Sequence, residues 1–146
     1  MKSFIYHGSY YDTVILKPSF KHTNELVTWD ETESNKYLYS TTDKWLAITM
    51  GLASALSQIG ILVDEFSVED NVIYIAADVK VTQSILRDIT HIYLYTLELN
   101  NDWVKVNNEH NGVDTEYKTD KTIENIIRKE IIPISDIQKK YVIKNR

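Results

Sequence analysis

The period of apolar and polar positions changes several times along the chain. Phe4-Ile5-Tyr6-His7 is a short apolar run stopped by Gly8-Ser9, which predicts a strand ending in a turn. Tyr37-Leu38-Tyr39-Ser40-Thr41 alternates with period two and predicts a second strand. Thr42-Asp43 then supplies a helix N-cap and an acidic first turn. Residues 44–59 carry Leu46, Ala47, Met50, Ala53, Ala55 and Leu56 largely at helical spacing, and Gly60 stops them. This is the clearest helix in the chain.

After Gly60 β-branched residues dominate. Residues 61–63 and 72–76 predict strands, with Glu69-Asp70-Asn71 turning before the second. Residues 82–88 suit a short helical turn. Residues 91–99 predict a long strand closed by Asn100-Asn101-Asp102, and residues 103–106 and 115–119 are further strand-like runs. In residues 126–132 the apolar pattern is ambiguous, and Pro133 favours strand over helix. Between the first two strands the pattern is weak. Val14-Ile15-Leu16 predicts a brief pairing, Lys17-Pro18 breaks it, and residues 28–36 are polar and acidic. A connection of that length inside a domain is usually functional or mobile. Trp29 within it reads as an anchor for the loop or as a lid residue. Residues 107–112 form a polar loop, and residues 139–146 read as a basic, solvated terminus. The sum is one α+β domain over residues 1–146, built on mostly antiparallel sheet with one main helix.

Composition narrows the chemistry. At 146 residues the chain has the length of one domain with a sizeable core. It has no cysteine, which excludes a thiol nucleophile, a disulfide scaffold and any thiolate metal site. The net charge of −5 disfavours a general nucleic-acid coat. His7, His22, His91 and His110 show no paired ligand spacing, so no metal site is expected. Phosphate-loop, dinucleotide-fingerprint and nucleophile-elbow motifs do not occur. Apolar runs fall short of a membrane span, and the first residues do not form a signal peptide, so the expected setting is the cytoplasm without membrane contact.

Three segments carry candidate chemistry. His7-Gly8 leaves the first strand, where a glycine lets a ligand approach the backbone. Tyr37 and Tyr39 share one face of the second strand, which runs into a helix start able to receive an anion. Asp114 and Glu116 share a face of a third strand and place two carboxylates side by side.

Taken in this order, Tyr6-His7-Gly8-Ser9, Leu38-Tyr39-Ser40-Thr41-Thr42-Asp43 with its helix, and Glu116-Tyr117-Lys118-Thr119-Asp120-Lys121 resemble the ADP-ribosyltransferase superfamily. The likeness is to its small bacterial and phage members with a His–Tyr–Glu triad, and it covers nearly the whole chain. It implies the ADP-ribosyltransferase-like fold, with sheets forming a cleft for NAD, the substrate. His7 then binds the nicotinamide-side ribose, and the Gly8 backbone grips the carboxamide. Tyr39, or Tyr37 one strand repeat earlier, stacks on the ring. Ser40 and Thr41 border the dinucleotide. Glu116 holds the ribose 2′-hydroxyl and stabilises the cationic sugar as nicotinamide leaves. Members that modify arginine often carry Glu or Gln two residues before the catalytic glutamate and Arg in place of the histidine. Here Asp114, one methylene shorter than Glu, and His7 stand at those places, so arginine-specific transfer is weakly supported. The implied activity is transfer of ADP-ribose to an unidentified acceptor: a protein, a nucleic acid or a small molecule. The alternatives are an NAD glycohydrolase, or a non-catalytic NAD- or ADP-ribose-binding domain of the same fold.

Overall fold

A computed structural model describes residues 2–18, 37–106 and 115–146. Its elements in chain order are β1 (Phe4–Ser9), β2 (Leu38–Thr41), α1 (Lys44–Gln58), β3 (Val63–Glu69), β4 (Val72–Ala77), α2 (Gln83–Ile89), β5 (His91–Glu98), β6 (Val104–Lys105), β7 (Glu116–Thr119), β8 (Arg128–Pro133), α3 (Ile134–Lys140) and β9 (Val142–Asn145).

The main helix forms where its caps are. The Asp43 carboxylate accepts from the N–H groups of Trp45 at 3.0 Å and Leu46 at 3.3 Å, satisfying two of the first-turn donors. At the far end Gly60 N–H donates to the Ser57 carbonyl and Ile61 N–H to that of Leu56, with Gly60 at φ 88. This is a Schellman cap, whose left-handed residue favours glycine. Leu46, Ala47, Ala55 and Leu56 are buried as their spacing predicts; Met50 and Ala53 are only half-buried, and Ile48, Thr49, Gly51 and Leu52 complete the buried set. Burial on so many sides follows from the position of α1, which packs against β1 and β5 on one side and β3 on the other.

The larger sheet has the order β6-β7-β2-β1-β5-β8 and is antiparallel at every pairing. The smaller has the order β3-β4-β9; β4 is antiparallel to β3 and parallel to β9. One core cluster centres on α1, with Leu52, Leu56, Ile73, Ile75, Ile92 and Leu94. A second contains Ile5, Leu16, Leu38, Tyr95, Leu97 and Trp103. The brief pairing predicted near residues 14–16 is the bridge Leu16↔Ile123.

The α+β class and the mostly antiparallel sheet agree with the sequence. Three details differ. The strand expected over residues 61–63 runs instead from Val63 to Glu69, because Ile61 belongs to the cap of α1 and a register shift between Val63 and Glu65 accommodates the polar Asp64. The main helix is joined by two seven-residue helices, of which α2 is capped by the Thr82 side chain, accepting from Ile85 N–H. The basic side chains of the terminus are exposed to solvent as expected, but the segment is also a structural element. Ile134 and Ile137 anchor α3 in the first core, Tyr141 lies 4.3 Å from the Trp45 ring, and β9 closes the small sheet. The exposed Lys139, Lys140, Lys144 and Arg146 hide this apolar series in the sequence.

Candidate functional site

The three predicted segments lie on adjacent strands, β1, β2 and β7. The alternation of ladder bonds shows where their backbone polar groups point. Leu99 N–H donates to the Ser3 carbonyl at 2.9 Å, one residue beyond the Phe4↔Glu98 pair. Ser3 and, by alternation, Ile5, His7 and Ser9 therefore turn their polar groups toward β5, and Tyr6 and Gly8 turn theirs toward β2. On β2, Thr42 N–H donates to the Thr115 carbonyl at 3.0 Å, so Thr42, Ser40 and Leu38 address β7, and Thr41 and Tyr39 address β1. The two strands pair at Tyr6↔Thr41. Past that pair, toward Gly8 and Tyr39, no further ladder pair forms between the two strands. There the His7 imidazole reaches the Tyr39 carbonyl from its Nδ1, at 2.7 Å. A carbonyl can only accept, so this nitrogen carries the proton.

Side chains alternate in the same way. A Cβ on Gly8 would stand 1.8 Å from the Ala47 carbonyl oxygen and 2.8 Å from Gly51 N. Gly8 thus faces α1, and its missing side chain lets the helix lie directly on the strand. His7, buried, leaves on the opposite face. Thr41 is opposite Tyr6, Glu116 is opposite Thr41, and Lys118 is opposite Tyr39. Tyr39, Glu116 and Lys118 therefore share the α1 face, and Ser40 and Tyr117 share that of His7. The core clusters sort the same way, with Tyr6 packed on the first and Leu38 and Tyr117 in or against the second. The structure thus brings Tyr39 and Glu116 together as diagonal neighbours on one face. It brings His7 to the backbone of Tyr39 but not to the face of Glu116.

Ser40 and Thr41 are both fully buried. The Ser40 hydroxyl has no partner among the described residues. Thr41 Oγ1 is 2.8 Å from Thr115 Oγ1 and accepts from Asp43 N–H at 3.0 Å. The start of α1, which the sequence offers to an anion, already holds the Asp43 carboxylate across two of its N–H groups. That charge is also felt by Tyr141, whose hydroxyl pKa is raised first by burial and then by Asp43. An incoming phosphate meets a negative group there, not an open helix end.

No family model, no curated protein and no solved structure matches this chain.

The sequence reading passes over Lys118. Its ammonium lies 4.2 Å above the centre of the Tyr37 ring, and Tyr37 and Tyr39 meet edge to face with ring centres 6.4 Å apart. The signal was available: two residues after Glu116 on a strand is the same face. Tyr37, Tyr39, Glu116 and Lys118 are all half-buried, so this patch is reachable from solvent. Asp114 and Trp29 lie outside the described residues. Among the described residues no three potential metal ligands cluster, and no helix is long and apolar enough to cross a membrane. A groove of about 270 Å³ opens between the start of α1 and α3, lined in part by Trp45, Ile48 and Ile137, and none of the triad residues borders it.

Proposed function

We propose that this protein is an ADP-ribosyltransferase with NAD as its substrate. The observation that carries the reading is the adjacency of β1, β2 and β7, with His7 tied to the Tyr39 backbone. Residues far apart in the chain become neighbours, with β2 between β1 and β7. In this reading Gly8 offers its in-plane N–H and C=O to the carboxamide, and Tyr39 supplies a ring for the nicotinamide. Glu116 lies two residues along β7 from the residue paired with Tyr39, on the same face.

The chemistry suits such a face. As the C–N glycosidic bond breaks, its electron pair leaves with nicotinamide, which departs as a neutral molecule, and positive charge builds on the ribose. A fixed carboxylate stabilises that charge, as in glycoside hydrolysis. An acceptor nucleophile then bonds to the anomeric carbon and gives its proton to solvent. Glu116 is the group we assign to the sugar, and Tyr39 and Gly8 are assigned to positioning the leaving ring.

The burial of His7 and its departure on the face away from Glu116 favour a second reading, a domain that binds NAD or ADP-ribose without turnover. Release of free nicotinamide from NAD separates the two. The transferase or hydrolase reading expects release by wild-type protein and a loss of it in Glu116→Gln. Binding without release supports the non-catalytic domain.

A further inference from the structure

We infer that the groove between α1 and α3 is a second binding site, which takes a small aromatic anion: one flat ring system bearing a negative group. It is separate from the face assigned to NAD, since neither Tyr39 nor Glu116 lines it. Three observations lead to it. First, its floor is apolar. Ile48 and Ile137 are buried there, and Trp45 and Ile132 are half-buried. Second, the Trp45 ring is held before any ligand arrives. Tyr141, which does not line the groove, packs on it with ring centres 4.3 Å apart, and the Lys140 ammonium lies 5.6 Å from its centre. A platform fixed in advance loses little freedom on binding. Third, the rim is basic on a chain whose net charge is −5. Lys44 of α1 and Lys139 and Lys140 of α3 border the groove against one carboxylate, that of Asp136.

Size and charge select the ligand. The groove holds about 270 Å³, just below the roughly 300–1,000 Å³ of sites for drug-sized molecules. One ring system enters it and a dinucleotide does not. A ring lying against Trp45 displaces water from the indole and the isoleucines. Lys44 precedes Ile48 by one turn of α1, and Ile137 precedes Lys140 by one turn of α3, so each helix supplies both an apolar wall and an ammonium. Those ammoniums make only loose ion pairs. Lys139 is 3.5 Å from Asp136, and Lys44 is 4.0 Å from Glu130, which also meets Arg128 at 3.5 Å. Such exposed pairs contribute little, so an incoming anion competes with them at little cost. A neutral ring gains the floor alone, and a cation meets three like charges.

The test is titration of indole-3-acetate, indole-3-acetamide and tryptamine into the protein, followed by its amide and methyl NMR signals. The three probes share a ring and differ in charge. We expect shifts centred on Trp45, Ile48, Ile132 and Ile137. The acid should bind at least about fivefold more tightly than the amide, the scale of one exposed ion pair, and the amine should bind most weakly. Rising salt should narrow the gap between acid and amide. Lys139→Gln combined with Lys140→Gln should remove most of the acid's advantage and leave the amide little changed. Asp136→Asn should tighten the acid, a gain that misfolding cannot imitate. Melting temperatures confirm that the variants are folded. Equal affinity for acid and amide overturns the assignment to an anion, and so does undiminished acid binding by the folded double variant. Shifts centred away from the groove, or no binding of any probe, overturn the site itself. Nicotinamide release from NAD tests the proposed function separately, and these outcomes leave it untouched.

Discussion

The imidazole of His7 on β1 and the backbone carbonyl of Tyr39 on β2 are joined by a 2.7 Å hydrogen bond. The bond lies where β2 continues past its Tyr6↔Thr41 pair, so a side chain does there what a ladder bond does elsewhere in the sheet. It couples the strand that carries Gly8 to the strand that carries the candidate ring platform. In the neutral imidazole it also fixes the proton on Nδ1.

His7→Ala should therefore destabilise the fold by about 1–3 kcal/mol, the cost of a lost buried polar contact. Asparagine places an amide donor close to the position of Nδ1, so His7→Asn should retain most of the stability. Urea unfolding of the three proteins checks this. Equal losses in both variants would remove the structural role given to the Nδ1–H donor.

Gly8→Ala should be worse, because its Cβ would lie 1.8 Å from the Ala47 carbonyl oxygen, a backbone atom that cannot swing aside. We expect a loss at the upper end of overpacking costs, about 3 kcal/mol or more. Gly60→Ala is the control. Its Cβ meets nothing within 4 Å, and its φ of 88 adds strain of about 1–2 kcal/mol. Thermal unfolding should rank wild type above Gly60→Ala, and Gly60→Ala above Gly8→Ala.

These residues show what was legible in the sequence. Local signals were: Asp43 and Gly60 announced both ends of α1, a period-two run announced β2, a short apolar run stopped by Gly8-Ser9 announced β1, and residues 91–99 and 115–119 were also expected as strands. Gly8 drew attention as a place for close approach, but the approaching group that the structure shows there is α1, and the sequence had no way to state which element would pack on it. Non-local relationships were hidden. That β7 lies beside β2, and β2 beside β1, depends on pairing across long stretches of chain. That His7 and Glu116 leave their strands on opposite faces depends on register, which a single slip inverts. The ends of α3 and β9 were obscured because exposed lysines alternate with the anchoring Ile134, Ile137, Tyr141 and Ile143.

Tyr95 gives the fold an alkaline limit. It is fully buried; its hydroxyl accepts from Thr13 N–H at 2.9 Å and donates to the Tyr11 carbonyl at 2.5 Å. Burial raises its pKa above the usual value of 10.0, and the Thr13 bond opposes this only in part. Between the unfolded and folded pKa values the native state binds more protons than the unfolded state, so stability falls as pH rises. The contribution is intact below about pH 10, the ordinary tyrosine value, and is lost as pH rises through the folded value. Tyr95→Phe should cost about 1–3 kcal/mol at pH 7 through its two lost hydrogen bonds. It should also flatten the stability decline above pH 10. Denaturant midpoints measured from pH 7 to 11 check both parts.

Asn145 fastens the C-terminal strand. Its Oδ1 accepts from Val81 N–H at 2.7 Å and its Nδ2 donates to the Val81 carbonyl at 3.0 Å. Asn145→Asp can keep the first bond, but it sets a carboxylate oxygen against the Val81 carbonyl. Both Asn145→Asp and Asn145→Ala should lower stability by about 1–2 kcal/mol. Amide exchange in β4 and β9 should accelerate in both variants. Unchanged exchange there would mean that β9 is held by the parallel ladder alone.

The central claim is that Glu116, on the face it shares with Tyr39, acts on the ribose of NAD. Its most direct test is the release of free nicotinamide from NAD by purified protein, with and without candidate acceptors, followed by chromatography. Removing a group that stabilises developing charge typically costs about 100- to 1000-fold in rate. The account predicts release by wild type and a fall of that order in Glu116→Gln, with the melting temperature little changed. Release by Glu116→Gln at the wild-type rate would contradict the assignment of Glu116. Absence of release from wild type under every acceptor condition would contradict the enzyme itself.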